Sequence, residues 1–150
     1  MEIKFRLNGK PVQTEVSEDS VLLNVLRQLG CVSVKCGCET SNCGLCTVFL
    51  NDKPVLSCSV LAARADKCSV TTLEGLQEEA SEFVTFIAEQ CGFCSPGFVM
   101  NVLAMFRELE DPSVDEIKQY LAGNLCRCTG YMGQLRAIQK YMQSKKEEQA

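Results

Sequence analysis

Histidine is missing altogether from this 150-residue chain. Its absence excludes Rieske-type clusters, which need imidazole ligands, and any zinc finger that mixes cysteine with histidine. No apolar run approaches the roughly 18 residues that a membrane-spanning helix needs. The opening MEIKFRLNGK alternates apolar and polar residues and lacks the apolar core of a signal peptide. Lysine and arginine form no cluster beyond the mixed tail SKKEEQ, and the net charge is −4, so neither nucleic acid nor a membrane is expected as partner. These absences describe a soluble, cytoplasmic chain whose partner is a protein.

What is present begins with ordinary globular composition, 46% hydrophobic and 23% charged, which excludes a disordered chain or a fibre. A chain of this length holds one ordinary domain or two small ones with thin cores, and thin cores profit from cross-linking. Eleven cysteines are present, an odd number that leaves at least one unpaired. In a reducing cytosol clustered thiols bind metal more often than they form disulfides.

In IKFRL, apolar Ile3, Phe5 and Leu7 alternate with Lys4 and Arg6; Asn8-Gly9 then supplies a hairpin turn before Val12, Thr14 and Val16. Leu22, Val25, Leu26 and Leu29 recur at helical spacing, and Gly30 closes that helix. Strand-like CTVFL, an Asn51-Asp52 turn, PVLSC and CSVTTL follow, which predicts a small β-grasp sheet wrapped on one helix. After Leu73 strand patterns stop. Four helical stretches follow, so a boundary falls near 74–80 and divides the chain into 1–75 and 76–150. The first stretch carries Phe83, Val84, Phe86 and Ile87. The second opens with Ser95 as N-cap and Pro96 at the first helical position, and continues through Val99, Val102, Leu103, Phe106 and Leu109. Ser113 and Glu116 form a capping box before Ile117 and Leu121, and Leu135, Ile138 and Met142 mark the last. Core packing is the plain reading of all these stripes, and together they make a short helical bundle.

Cys38, Cys43 and Cys46 lie in CETSNCGLC, a C-x4-C-x2-C run, and Cys58 follows after eleven residues. This is the plant-type 2Fe-2S ferredoxin spacing, in which a tight loop wraps three thiolates around a cluster and a neighbouring strand brings the fourth. Gly44 and Asn42 tolerate the backbone angles such a loop demands, so that amides point at sulfur. A second set lies in the helical half: Cys91 and Cys94 in QCGFCSPG, then Cys126 and Cys128 in NLCRCTG, with thirty-one residues between the pairs. A C-x2-C at the turn into a helix sits beside amide donors and the positive helix end. The C-x-C needs an extended or sharply turned backbone, which Gly123 and Gly130 permit, so two interhelical turns would meet at one end of the bundle. For either set an all-cysteine zinc site uses similar pairs, and spacing by itself leaves iron and zinc both open. Cys31, Cys36 and Cys68 read as buried or bystander thiols, although Cys36 stands two residues before Cys38 and competes with it as ligand. Arg127, between two ligands, is either a tuner of the second site or a partner in a surface ion pair.

With LLNVLRQLG, CETSNCGLCTV, SCSVLAARAD, TLEGL, QCGFCSPG and GNLCRCTGY in place, the chain resembles the small iron–sulfur subunit of the molybdenum hydroxylases. That group contains xanthine dehydrogenase, aldehyde oxidoreductase and carbon monoxide dehydrogenase. The resemblance implies an α+β chain, a plant-ferredoxin-like β-grasp domain followed by a four-helix bundle, each holding a 2Fe-2S cluster. Cys38, Cys43, Cys46 and Cys58 would hold one cluster; Cys91, Cys94, Cys126 and Cys128 would hold the other. Gln90 and Cys128 would approach a molybdopterin, in its cytosine dinucleotide form, bound by a large subunit. Electrons from hydroxylation of a purine, aldehyde or N-heterocycle would leave through this subunit to FAD in a medium subunit or to another acceptor, in a hetero-oligomer such as a dimer of heterotrimers. Compared with the family's usual first loop this one lacks the first two glycines and has Leu45 for alanine, which is closer to the carbon monoxide dehydrogenase variant. CSPG and the stretch after Tyr131 also depart, and neither is expected to touch a ligand. Two other readings are a free-standing ferredoxin, which would not need the helical half, and a zinc-stabilised interaction module, which would be colourless and free of acid-labile sulfide.

Overall fold

The structure, a computed structural model, describes residues 1–87 and 89–149. Strands β1 (Glu2–Leu7) and β2 (Lys10–Glu15) pair antiparallel through Asn8 and Gly9, both in the left-handed region at φ 50° and 79°. That geometry matches the twist of the two strands, and asparagine and glycine reach it at least cost. Asn51 and Asp52, at φ 48° and 64°, turn the chain in the same way between β3 (Thr47–Leu50) and β4 (Lys53–Leu56). With β5 (Ser69–Thr71) they form a five-stranded sheet of order β2-β1-β5-β3-β4, in which only β1 and β5 run parallel. Pro11 and Pro54 stand in the two edge strands, where their missing N–H breaks no ladder.

Helix α1 (Leu22–Gln28) covers one face of this sheet, its Leu22, Leu23, Val25 and Leu26 packing with Ile3, Phe5, Leu7, Val48 and Val70. It closes as expected at Gly30 (φ 90°), whose N–H donates to Arg27 C=O while Cys31 N–H reaches back to Leu26 C=O. These two bonds satisfy carbonyls the helix end would otherwise leave open.

The helical part comprises α2 (Gln77–Val84), α3 (Ser95–Glu108), α4 (Val114–Tyr120) and α5 (Met132–Gln149). Phe83 is its hub: its ring meets Phe98 at 6.0 Å, Phe106 at 6.4 Å and Tyr141 at 5.4 Å, with Ile117 and Ile138 buried beside it. The capping box at α4 forms, with Glu116 N–H donating to Ser113 Oγ and Ser113 N–H to Glu116 Oε2. Two expectations fail locally. Val84 is 47% exposed, because α2 turns only Ala80 and Phe83 inward and ends before Phe86. Ser95 is the first helical residue and not the N-cap; Cys94 takes that place, its C=O accepts from Phe98 N–H, and the Ser95 hydroxyl donates to Glu89 instead.

The sheet's second face joins the two parts. On β3, Val48 points into the α1 core, whereas Phe49 belongs to the helical core. Asn101 of α3 donates to Thr47 Oγ1 at 2.9 Å, and the Arg107 guanidinium lies 4.5 Å from the Phe49 ring centre. Among the described residues no helix is long and apolar enough to cross a membrane.

Candidate functional site

All eleven cysteines are free thiols. Cys38, Cys43, Cys46 and Cys58 line one small pocket with Leu23, Lys35, Cys36, Gly37 and Glu39. Thr40 and Asn42 N–H groups donate to Cys38 Sγ at 3.5 and 3.4 Å, and chiefly these amides pull its pKa down to about 6. Cys58 lies just past β4, in a single 3-10 turn (Ser57–Ser59). Ser57 fixes that turn by donating its hydroxyl to Cys46 C=O at 2.7 Å. Burial opposes ionisation of Cys58, but hydroxyl contacts from Ser41 and Ser59 and the Cys46 thiol outweigh it and lower its pKa. Burial drives Cys46 the other way, to about 11, and raises Cys43 as well. The thiols thus pair as Cys38 with Cys43 and Cys46 with Cys58, one of each pair inclined to ionise and the other to donate to it.

The loop's backbone corrects one expectation. Gly44 takes a left-handed φ of 74°, but the other left-handed residues are Glu39 (55°) and Ser41 (61°), not Asn42. These are the two positions where the family's usual loop has glycine. A side chain there costs about 1–2 kcal/mol, and both side chains make contacts in return: Glu39 accepts from the Cys36 thiol at 3.3 Å, and Ser41 Oγ lies 3.7 Å from Cys58 Sγ. Desolvation and then this carboxylate raise the Cys36 pKa, the reverse of Cys38.

The second set is assembled from the α2–α3 and α4–α5 connections. Cys128 Sγ lies 3.6 Å from Cys91 Sγ, and Cys94 pairs with Cys126. Burial opposes ionisation of Cys126, yet the Thr129 hydroxyl at 3.1 Å and the amides of Cys128 and Thr129 prevail and bring its pKa down to about 7. Cys94 is pushed up to about 11, first by burial and then by Cys126. Contact with Cys91 raises Cys128. Gly130 at φ 64° and Tyr131 at φ 69° reverse the chain before α5, and Tyr131 OH accepts from Cys126 N–H at 3.1 Å. Sequence reasoning missed Gln134 here: this buried side chain donates to Cys94 Sγ at 3.8 Å, so the stretch after Tyr131 does touch one of the four thiols. Only the three-dimensional course of α5 could have revealed it.

The two sets also touch each other. Leu125 N–H donates to Cys43 C=O at 2.9 Å, one residue from Cys126. A Cβ on Gly44 would fall 2.6 Å from Gly123 O, and one on Gly97 would fall 2.7 Å from Gly44 O, so the glycines set how closely these loops approach. Lys35 lies over the Phe93 ring at 5.6 Å, a further contact between the two loops. Gln90, Cys91, Arg127 and Cys128 are exposed together with Phe93, Leu125, Tyr131 and Met132. Among the described residues Arg127 makes no ion pair. Cys31 is buried in the sheet core, and the Cys68 thiol donates to Arg64 C=O at 3.4 Å; both stand outside the two sets.

Among the described residues no three cysteine or carboxylate side chains close around a single metal-ion position. The thiols gather in two sets of four, the donor set that two 2Fe-2S clusters would take. Comparison with known proteins agrees. Residues 5–69 match the 2Fe-2S iron-sulfur cluster binding domain and residues 72–139 the [2Fe-2S] binding domain. Two such domains in tandem define a two-cluster electron-transfer protein. The chain is 39% identical over 137 residues to the nicotinate dehydrogenase small FeS subunit of Eubacterium barkeri, covering 87% of each. It is 41% identical over 137 residues to the xanthine dehydrogenase iron-sulfur-binding subunit of Escherichia coli O157:H7, covering 86% of each. The solved aldehyde oxidoreductase of Desulfovibrio gigas matches 99% of this chain with 17% of its own, at a TM-score of 0.86 and 33% identity. The chain belongs to the 2Fe-2S small subunits of the molybdenum hydroxylases and acts as an electron-transfer component of an oxidoreductase.

Proposed function

We propose that this subunit carries electrons between a molybdopterin site in a large partner subunit and FAD in a medium subunit, or another acceptor. Cys38, Cys43, Cys46 and Cys58 hold the first 2Fe-2S cluster, and Cys91, Cys94, Cys126 and Cys128 the second. The clusters supply one-electron chemistry; the chain positions them and sets their electrostatics. The gathering of eight thiols into two sets of four, in segments that match two 2Fe-2S-binding domains, carries this reading. Ionisation of Cys38, held by two amides, favours it over Cys36 as the ligand that begins the loop.

The large subunit covers the face where Gln90 and Cys128 stand exposed among Phe93, Leu125, Tyr131 and Met132. An apolar surface around a redox centre is what a stable partner buries. In this reading Gln90 and Cys128 approach the pterin, in its cytosine dinucleotide form. Relatives named for nicotinate, xanthine, isoquinoline and aldehyde conversion support a purine, an N-heterocycle or an aldehyde as the substrate class. Residues 1–75 form the ferredoxin-like β-grasp domain and 76–150 a four-helix bundle, in a cytoplasmic dimer of heterotrimers.

Purification under native conditions tests the reading. Equal iron and acid-labile sulfide amounting to two clusters per chain, two distinct EPR signals and a co-purifying molybdenum subunit are expected. A colourless zinc protein without sulfide overturns it.

A further inference from the structure

We infer that Gln134 tunes the electron affinity of the second centre, its side-chain N–H donating to the Cys94 sulfur. The inference rests on the ligand set proposed above. Gln134 lies in the first turn of α5 and is only 8% exposed, beside buried Ala137 and Ile138. With Phe98, Ile117, Leu121 and Leu135, and beside Lys118 and Asn124, it lines a mostly apolar cavity of about 320 Å³ that opens to solvent. A buried amide left without a partner is destabilising, so its donor needs an acceptor. Among the described residues no buried side-chain nitrogen or oxygen lacks a partner, and for Gln134 Nε2 that partner is Cys94 Sγ at 3.8 Å.

The two paired sulfurs are supplied differently. Cys126 receives the Thr129 hydroxyl and the amides of Cys128 and Thr129. Cys94 is half-buried at the head of α3, and Gln134 is the side chain that donates to it. Reduction of a cluster held there would add one electron, part of whose charge its thiolate ligands would carry. An N–H dipole aimed at one of them would favour the reduced form, the more so because the amide is largely buried. The amide is preorganised by α5 packing and needs no reorientation when the electron arrives.

Potentiometric titration of the purified complex, followed by EPR, tests this with Gln134→Leu and Gln134→Met; the methionine keeps the length and removes the N–H. At fixed potential the oxidised-to-reduced ratio of the second centre should rise about tenfold, a midpoint about 59 mV lower for one electron. The first centre should not move. An exchangeable-proton coupling in the reduced second centre should be present with glutamine and absent with methionine. An unmoved second midpoint with its signal intact, or an equal shift of both centres, overturns the inference while leaving the proposed function standing. Failure of both variants to assemble the second centre makes Gln134 a structural residue and also overturns it. A chain lacking iron and sulfide overturns both.

Discussion

The first cysteine set is built almost wholly by one loop and the turn that follows its neighbouring strand, whereas the second joins residues as far apart as Cys91 and Cys128, 37 positions along the chain. In the first, backbone amides two and four residues on hold Cys38, and left-handed angles at Glu39, Ser41 and Gly44 shape the loop. In the second, thiols meet across two interhelical connections, Cys91 with Cys128 and Cys94 with Cys126, and Gln134 of α5 reaches Cys94, while Cys126 also keeps local donors in Cys128 and Thr129. A local loop stores its geometry in its own dihedral angles. A site between helices stores it in the tertiary core, so it loosens whenever that core does.

Ligand replacement should have the largest effect on this contrast. Cys43→Ser should erase the first EPR signal and leave the second, Cys126→Ser should do the reverse, and Cys36→Ser should leave both. Loss of both signals from either single ligand change would show that the sites do not assemble independently.

Gly44→Ala comes next, because it adds a left-handed penalty to a Cβ 2.6 Å from Gly123 O. Denaturant unfolding should register a loss of about 2–4 kcal/mol. Gly130→Ala, at φ 64° with nothing within 4 Å, should cost only about 1–2 kcal/mol. Equal losses would mean that the close approach of the loops contributes nothing.

In the cluster-free chain, alkylation followed by mass spectrometry should label Cys38 with an apparent pKa of about 6 and Cys126 of about 7, with Cys46 and Cys94 resisting until near 11. The linked stability has opposite signs. What the depressed thiols contribute is fully present above their ordinary value of 9.0 and fades as pH falls through about 7 and then 6; what the raised thiols contribute is present below 9.0 and fades toward 11. Uniform labelling near pH 9 would dissolve the pairing. The smallest effect belongs to Arg127→Gln, an exposed charge whose field water screens; it should shift the second midpoint less than Gln134→Leu does.

Features with local causes were legible in the sequence. Asn8-Gly9, the Gly30 closure and the Ser113 capping box depend on neighbours a few residues away, and the structure places each as expected; the C-x4-C-x2-C run is local in the same way, and its thiols line one pocket. What escaped is what distant residues decide. Val84 shares the helical spacing of Phe83 but finds no cover. Ser95 has the chemistry of an N-cap but gives its hydroxyl to Glu89. Asn42 looked suited to a left-handed angle that Glu39 and Ser41 adopt instead, and Gln134 reaches Cys94 across 40 positions. Periodicity cannot report such contacts, since they depend on how the elements meet.

Phe49 bears on how such a protein can be divided and recombined. Its strand is hydrogen-bonded within the ferredoxin-like sheet, yet its ring is 1% exposed only because α3 lies over it and Arg107 covers its face. Cut after the last strand, the N-terminal half would keep a complete sheet and present a bare aromatic to water; the C-terminal half would keep its helices around a hole. The two halves are therefore packed as a unit, and a graft onto another enzyme should carry both, or a substitute for this one ring.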